Sequence, residues 1–175
     1  MKWVNHLLVA GATTAVFSPA LVPLALLGST APDWMESVAK LLGRKLPHRG
    51  PTHWVAAWVL ALGFFLFSFD VRGMGAAFAW GGLSHVLLDA LTVAGVPFSP
   101  LSDRRFHIAG GRFRTGGAGE YIFSAVVVVV CWLVSGQFAG AGDVGYIPFF
   151  PDWAEWHEQG LVTPAEWKAN RFRFF

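Results

Sequence analysis

The sequence predicts an all-α protein that crosses a membrane several times. Only 14% of its 175 residues are charged, about half the share of roughly 25% that is usual in soluble domains. These charges are also segregated, because long uncharged runs alternate with short charged segments. A transmembrane helix needs about 20 mostly apolar residues, and three or four of the runs are long enough. We therefore expect a polytopic membrane helical bundle.

The first uncharged run contains two prolines in its middle, Pro19 and Pro23. A proline inside a helix removes a hydrogen bond and clashes with the preceding turn, whereas serine followed by proline is typical of a helix start. We therefore predict a helical hairpin with arms at about residues 3–16 and 19–29, and one broken, kinked helix as the alternative. A hairpin would return Asp33 to the side of the membrane on which the first arm begins.

Three further spans are predicted, at about residues 51–69, 74–95 and 120–138. A polar connector (32–50) precedes the first of them, and a basic, glycine-rich segment (98–120) precedes the last. Each of these two segments carries four basic residues, counting lysine and arginine together. If the spans alternate in direction, both segments lie on the same face of the membrane. Because basic loops mark the cytoplasmic side, we expect this face to lie toward the cytoplasm.

The remaining segment, 143–175, differs in character because it is rich in tryptophan and acidic residues. We expect residues 1–142 to form the membrane-embedded domain. The tail, 143–175, should form short interfacial helices that start near Asp152 and Thr163, and a loosely ordered amphipathic tail is the alternative. Such a tail is also suited to packing against other membrane proteins. Its tryptophans are Trp153, Trp156 and Trp167.

An ionisable pair interrupts the predicted span 74–95. His85 and Asp89 are four residues apart, so they share one face of a helix. Ionisable side chains within membrane spans are costly and mark functional sites by default. A buried His–Asp hydrogen bond that holds two helices together would explain the pair equally well. On this pair alone, both interpretations stay open.

More histidines and acids are predicted at the same membrane boundary. His48 and His53 flank the start of the span 51–69, and Glu120 begins the last span. Asp33 joins them after the second hairpin arm, and so does the first histidine if the hairpin turn lies within the membrane. The candidate ligands are His6, Asp33, His48, His53, His85, Asp89 and Glu120.

This mixture of imidazoles and carboxylates favours a divalent transition metal, most of all zinc, and also manganese or iron. Seven candidates exceed the four ligands of a tetrahedral site, so we expect one to three ions, with Asp33 or Asp89 as a bridging carboxylate. Asp33 is also the candidate general base if it is not a ligand. Arg49 could bind a phosphate or pair with Asp33, and an ordinary positive-inside arginine explains it equally well.

The arginines of the segment 98–120 also allow two interpretations. Beside the site they could hold an anionic lipid headgroup or a phosphate. As positive-inside residues they would only set the orientation of the chain, which we favour slightly. They are Arg104, Arg105, Arg112 and Arg114.

Four motifs, "NHLLVAG", "LLGSTAPDW", "HRGPTHW" and "LSHVLLDALTVAGVPFSPLSDRRF", resemble in order and spacing the YdjM-like family. Its members are regarded as metal-dependent hydrolases of the inner membrane, which implies a bacterial-type inner membrane for this chain, and the family is distantly similar to zinc-dependent phospholipase C. The resemblance covers roughly residues 5–125 and implies the same ligand set, with Glu120 as a looser match. Two positions depart from the family pattern, because Met35 replaces a second acid and Trp54 a small polar residue.

The sequence therefore predicts a membrane-embedded metal-dependent hydrolase that cleaves a phosphoester of a lipid-like substrate through a metal-activated water. The alternative is a non-catalytic membrane subunit that keeps the same fold as a scaffold in a larger assembly. A third interpretation is a cation or proton pathway, which would spread the ionisable residues through the depth of the membrane. The net charge of +2 gives no indication of nucleic-acid binding.

Overall fold

The computed structural model describes residues 1–68, 70, 73–138, 157, 160 and 163–165. This part of the chain is mostly helical and contains one β-hairpin. The elements in chain order are α1 (Trp3–Phe17), α2 (Val22–Leu41), α3 (Val55–Phe67), α4 (Met74–Ala90), β1 (Val96–Ser99), β2 (Ser102–Phe106) and α5 (Ala118–Phe138). Short 3-10 helices precede α2 (Pro19–Leu21) and α3 (Pro51–His53). The predicted interfacial tail, with its three tryptophans, lies outside the described residues apart from those few positions.

The first two helices form the predicted hairpin and not a single kinked helix. α1 ends at Phe17, and Ser18 leaves the helical conformation with a φ of −155°. The 3-10 turn then begins at Pro19, because a proline lacks the N–H that the first turn of a helix cannot use anyway. The indole N–H of Trp3 donates to the carboxylate of Asp33 at 2.6 Å. The start of α1 therefore lies beside the second half of α2.

The second arm is longer than predicted. α2 passes through Pro32 and ends at Leu41, although the sequence predicted a polar connector from residue 32 onward. Side chains from outside α2 bind Asp33 and Glu36 on the turn that follows the proline. These tertiary contacts outweigh the local preference against a helical proline.

The β-hairpin, which the sequence analysis does not predict, overlaps the start of the basic, glycine-rich segment 98–120. β1 and β2 are antiparallel, with Val96 opposite Phe106 and Ser99 opposite Ser102. Val96 is fully buried and belongs to a core cluster that also contains Val55 at the start of α3. Burial of Val96, with Phe106 packed against the same cluster, attaches the hairpin to the helical bundle.

Glycines allow α2 and α4 to pack closely. A Cβ atom on Gly28 would lie 2.0 Å from the carbonyl oxygen of Phe78, and one on Gly81 would lie 2.2 Å from that of Ala25. Small residues at a helix crossing let two backbones approach each other, as is common in membrane bundles. This contact holds the middles of α2 and α4 together, just before the turns that carry three of the seven candidate ligands, Asp33, His85 and Asp89.

One helix of the described part is long and apolar enough to cross a membrane. It is α5, through the window 118–135, and only 22% of that window is buried inside the protein. α1 and α3 are also apolar but have 15 and 13 residues, which is short of the about 20 that a full span needs. The structure thus supports one span, and the polytopic count stays a prediction.

The helices alternate in direction, so their ends form two groups. At one end, Leu21 before α2 lies against Gly73 before α4. At the other end, the backbone N–H of Lys2 before α1 contacts Glu120 at the start of α5. We call this second end the polar end; it comprises the starts of α1, α3 and α5, the ends of α2 and α4, and the hairpin.

Candidate metal centre

Two histidines and two aspartates bring four potential ligand atoms together at the polar end. Nε2 of His53 lies 3.5 Å from Oδ1 of Asp33 and 4.0 Å from Oδ2 of Asp89. Nε2 of His85 lies 3.8 Å and 3.9 Å from the same two oxygens. A tetrahedral zinc with bonds of about 2.0–2.1 Å separates its ligand atoms by about 3.3–3.4 Å. Each of the four nitrogen–oxygen distances would have to shorten by about 0.2–0.7 Å to reach this value, and Asp33, His53 and His85 form a set whose ligand atoms all lie within 4.8 Å of one another.

The histidine nitrogens that face these carboxylates have no hydrogen-bond partner. Nε2 of His53 and Nε2 of His85 are both buried and unpaired. Nδ1 of His85, in contrast, donates to the carbonyl oxygen of Ser29 at 2.6 Å. A proton on Nδ1 leaves the lone pair on Nε2, which is the tautomer that a metal ligand requires. The site therefore fits a cation by the chemistry of its donors.

The second ring nitrogen of His53 is also held in place. Its Nδ1 lies 3.0 Å from the hydroxyl oxygen of Thr52 and 3.2 Å from Oε1 of Glu36. A carboxylate behind a ligating histidine fixes the orientation of the ring and raises its basicity. Both histidines thus present Nε2 toward the same space, although they come from different elements.

His6 belongs to a second set of possible ligands, together with His85 and Asp89, whereas Asp33, His53 and His85 form the first. Nε2 of His6 lies 3.6 Å from Oδ1 of Asp89, and its ring stacks on that of His85 with centroids 3.8 Å apart. Both sets contain His85, whose Nε2 has one lone pair and can bind one ion. The two sets therefore cannot each bind an ion with His85 as a ligand of both.

Asp89 is already paired with two cationic groups. Nη2 of Arg49 lies 2.9 Å from its Oδ2, and the N-terminal amine of Met1 contacts its Oδ1. Nη1 of Arg49 donates to the hydroxyl of Thr92 at 3.1 Å and to the carbonyl oxygen of Gly95 at 3.2 Å. Arg49 thus pairs with Asp89 and not with Asp33, and most of its guanidinium binds the protein itself.

Two of the predicted ligands lie outside both sets. The side chain of His48 is 70% exposed, and its Nδ1 lies 2.9 Å from Oε2 of Glu36. Glu120 is fully buried at the start of α5, where Oε1 accepts the backbone N–H of Lys2 at 3.4 Å and Oε2 has no partner. The structure thus brings together five of the seven candidates and separates His48 and Glu120 from them.

Glu36 is absent from the predicted set, although it lies one turn after Asp33 on the same face of α2. Its Oε1 accepts the backbone N–H of Arg49 at 3.0 Å and the hydroxyl of Thr52 at 3.1 Å. Together with the contact to His53, these bonds hold the segment before α3 against α2. The spacing of three residues from Asp33 is the only signal in the sequence that could have identified it.

Trp3 is also absent from the predicted set. Its indole N–H binds Oδ2 of Asp33, so Oδ1 remains to face the histidines. Burial alone would raise the pKa of Asp33, but the neighbouring imidazoles of His53 and His85 and the hydrogen bond from Trp3 outweigh burial and lower the pKa to about 2. A carboxylate that ionises so readily is a better metal ligand than general base at neutral pH.

Comparison with known proteins gives one family. The family model described as "YdjM inner membrane protein" matches residues 1–142, which is most of the chain and includes all the elements that build this site. No curated protein and no solved structure matches the chain. The predicted similarity to zinc-dependent phospholipase C therefore has no support from these comparisons.

Proposed function

Because the chain belongs to the YdjM family of inner membrane proteins, we propose that it is a membrane-embedded, metal-dependent hydrolase. The observation that carries the proposal is the pair of buried, unpaired Nε2 atoms on His53 and His85. Both atoms face the carboxylates of Asp33 and Asp89. A buried nitrogen without a partner costs free energy, and a cation at this point would remove that cost for both histidines.

The donor set indicates which ion would bind. Two neutral imidazoles and two carboxylates suit zinc, and they also suit manganese or iron. The two carboxylates together carry the charge that neutralises a divalent ion. Because both candidate sets depend on Nε2 of His85, we propose one ion, with His6 as an additional or alternative ligand.

A zinc-type ion supplies Lewis-acid chemistry, which is the chemistry used in hydrolysis of phosphoesters. The residues of the chain would hold this ion and fix its ligands. Trp3 orients Asp33, Ser29 and Glu36 orient the histidines, and Arg49 holds Asp89. The amine of Met1 contacts Asp89, and the next residue, Lys2, contacts Glu120 near the start of the apolar window of α5, so a phosphoester of a lipid-like substrate is the substrate class we propose.

The test is hydrolysis by the purified full chain in phospholipid nanodiscs. Substrates are the phospholipids themselves and a soluble aryl phosphodiester, each with added zinc or manganese and with chelator. We expect metal-dependent release of product, and Asp33→Asn should lower the rate at least about 100-fold by removing a ligand. Ser37→Ala, an exposed position on the same helix, is the matched control. Bound metal without turnover of either substrate would contradict the hydrolase and leave the metal site standing.

One observation favours a second function, a non-catalytic membrane subunit. Asp89 already has Arg49 and the amine of Met1 as cationic partners, so a polar cluster can be neutralised without metal. A scaffold of this kind should unfold at the same temperature with and without chelator. A metalloprotein should lose stability, because an ion that binds only the folded state stabilises it by mass action.

A further inference from the structure

The exposed charges at the polar end all have one sign. Between residues 1 and 135, leaving aside 69, 71, 72 and the side chain of Asp103, which are not described, every exposed ionic side chain is a lysine or an arginine. The acids of this range are buried or half-buried. The exposed cations are Lys2, Lys40, Arg44, Lys45, Arg104, Arg105, Arg112 and Arg114.

Exposed leucines accompany these cations. Leu101, at the turn between β1 and β2, is 94% exposed, and Leu41, at the end of α2, is 87% exposed with Leu42 beside it. A single exposed leucine is ordinary on any protein surface. Apolar side chains among lysines and arginines at the end of a membrane bundle are typical of interfacial segments, in which cations meet phosphates and apolar groups enter the acyl boundary.

These cations and leucines lie near the predicted boundary of the membrane. The apolar window of α5 begins at residue 118, directly after Arg112 and Arg114. The hairpin is fixed to the same end of the bundle, since the guanidinium of Arg105 donates to the carbonyl oxygen of Arg49 at 3.2 Å. The turn of the hairpin and the end of α2 therefore lie near the depth at which headgroups begin.

From this placement we propose that the polar end binds anionic phospholipid headgroups through a basic rim whose leucines enter the acyl boundary. Each lysine or arginine near an anionic bilayer surface strengthens the attraction by about fivefold, so several of them select anionic over zwitterionic lipid. The rim contains none of the candidate metal ligands and acts independently of the metal. It consists of Lys40, Arg44, Lys45, Arg104, Arg105, Arg112 and Arg114 with Leu41, Leu42 and Leu101.

The test places an environment-sensitive fluorophore at the turn of the hairpin. Leu101→Cys is combined with Cys131→Ala, which removes the single native cysteine, and is labelled with a nitrobenzoxadiazole dye. The full chain is placed in nanodiscs of phosphatidylcholine alone or of equal parts phosphatidylcholine and phosphatidylglycerol, with chelator present throughout. We expect a blue shift and quenching by lipids with brominated acyl chains, both stronger with phosphatidylglycerol.

Charge variants of the labelled protein identify the cause. Arg44→Gln with Arg104→Gln should reduce the effect of phosphatidylglycerol several-fold, whereas Arg44→Lys with Arg104→Lys should retain it, because headgroup attraction follows charge. Both variants should elute from gel filtration like the parent. Emission and quenching that are the same in both lipids would overturn the proposal. Because the measurement is made in chelator, its outcome does not depend on whether a metal binds.

Discussion

At the scale of single residues, Glu36 contacts three groups in the segment before α3, and one of them is the candidate ligand His53. They are the backbone N–H of Arg49, the hydroxyl of Thr52 and the imidazole itself. Such partners behind a metal ligand usually matter almost as much as the ligand, because they fix its tautomer and direction. We therefore propose Glu36 as a positioning residue for the candidate metal centre.

Glu36→Gln keeps the size of this side chain and removes its charge. We expect the dissociation constant for zinc to rise about 10–100-fold, measured by competition with a chromogenic chelator in detergent. Ser37→Ala, the exposed neighbour on α2, should leave the constant unchanged. An unchanged constant in Glu36→Gln would show that the contact to His53 does not support metal binding.

Met35 is the position at which the family pattern has an acid, yet its side chain is 40% exposed. In a helix it points about 200° away from Asp33, two residues earlier. We therefore expect Met35→Asp to leave the metal content per chain unchanged in elemental analysis. A second ion bound by this variant would mean that the departure at Met35 has removed a metal position.

The sequence predicts the ligand types better than the contacts among them. His85 and Asp89 are predicted because a spacing of four places them on one helix face. His48 was predicted from its closeness to His53 in the chain, but it lies in the irregular segment between α2 and α3, where spacing does not determine direction. The bond from Trp3 to Asp33 joins residues 30 positions apart, and no local pattern contains such information.

At the scale of elements, the sequence predicts the ends of a helix well where they depend on residues nearby in the chain. Ser18 and Pro19 break the first run because the rules for helix starts apply within a few residues. The continuation of α2 through Pro32 and the β-hairpin depend instead on packing partners elsewhere in the chain. Val96, which attaches the hairpin to the core, has no strand pattern around it that would distinguish it from a loop residue.

The crossing of α2 and α4 allows a direct test of packing. Gly81→Ala would force its Cβ against the backbone of α2, and we expect a loss of about 1–3 kcal/mol in the free energy of unfolding. Gly63→Ala on α3 is the matched control, because nothing lies within 4 Å of its added Cβ and alanine favours the helix. Thermal unfolding in detergent, followed by tryptophan fluorescence, should show a lower midpoint only for Gly81→Ala. Equal midpoints would contradict the close crossing.

At the scale of the whole molecule, the basic segments predict that the polar end faces the cytoplasm. In a background with Cys131→Ala, Thr115→Cys, at an exposed position before α5 at the polar end, should react with a membrane-impermeant maleimide only in inverted vesicles. Ser68→Cys, after α3 at the opposite end, should react only from the outside. Labelling of Thr115→Cys in intact cells would show the opposite orientation.

We propose above all that the polar end binds a metal ion through Nε2 of His53 and His85. The most direct test is elemental mass spectrometry of the purified protein beside His85→Ala and His48→Ala, of which the second removes an exposed histidine outside both ligand sets. We expect about one zinc, manganese or iron per chain in the wild type and in His48→Ala, and none in His85→Ala. A wild type that is folded, free of metal and not loaded by added metal would contradict the account.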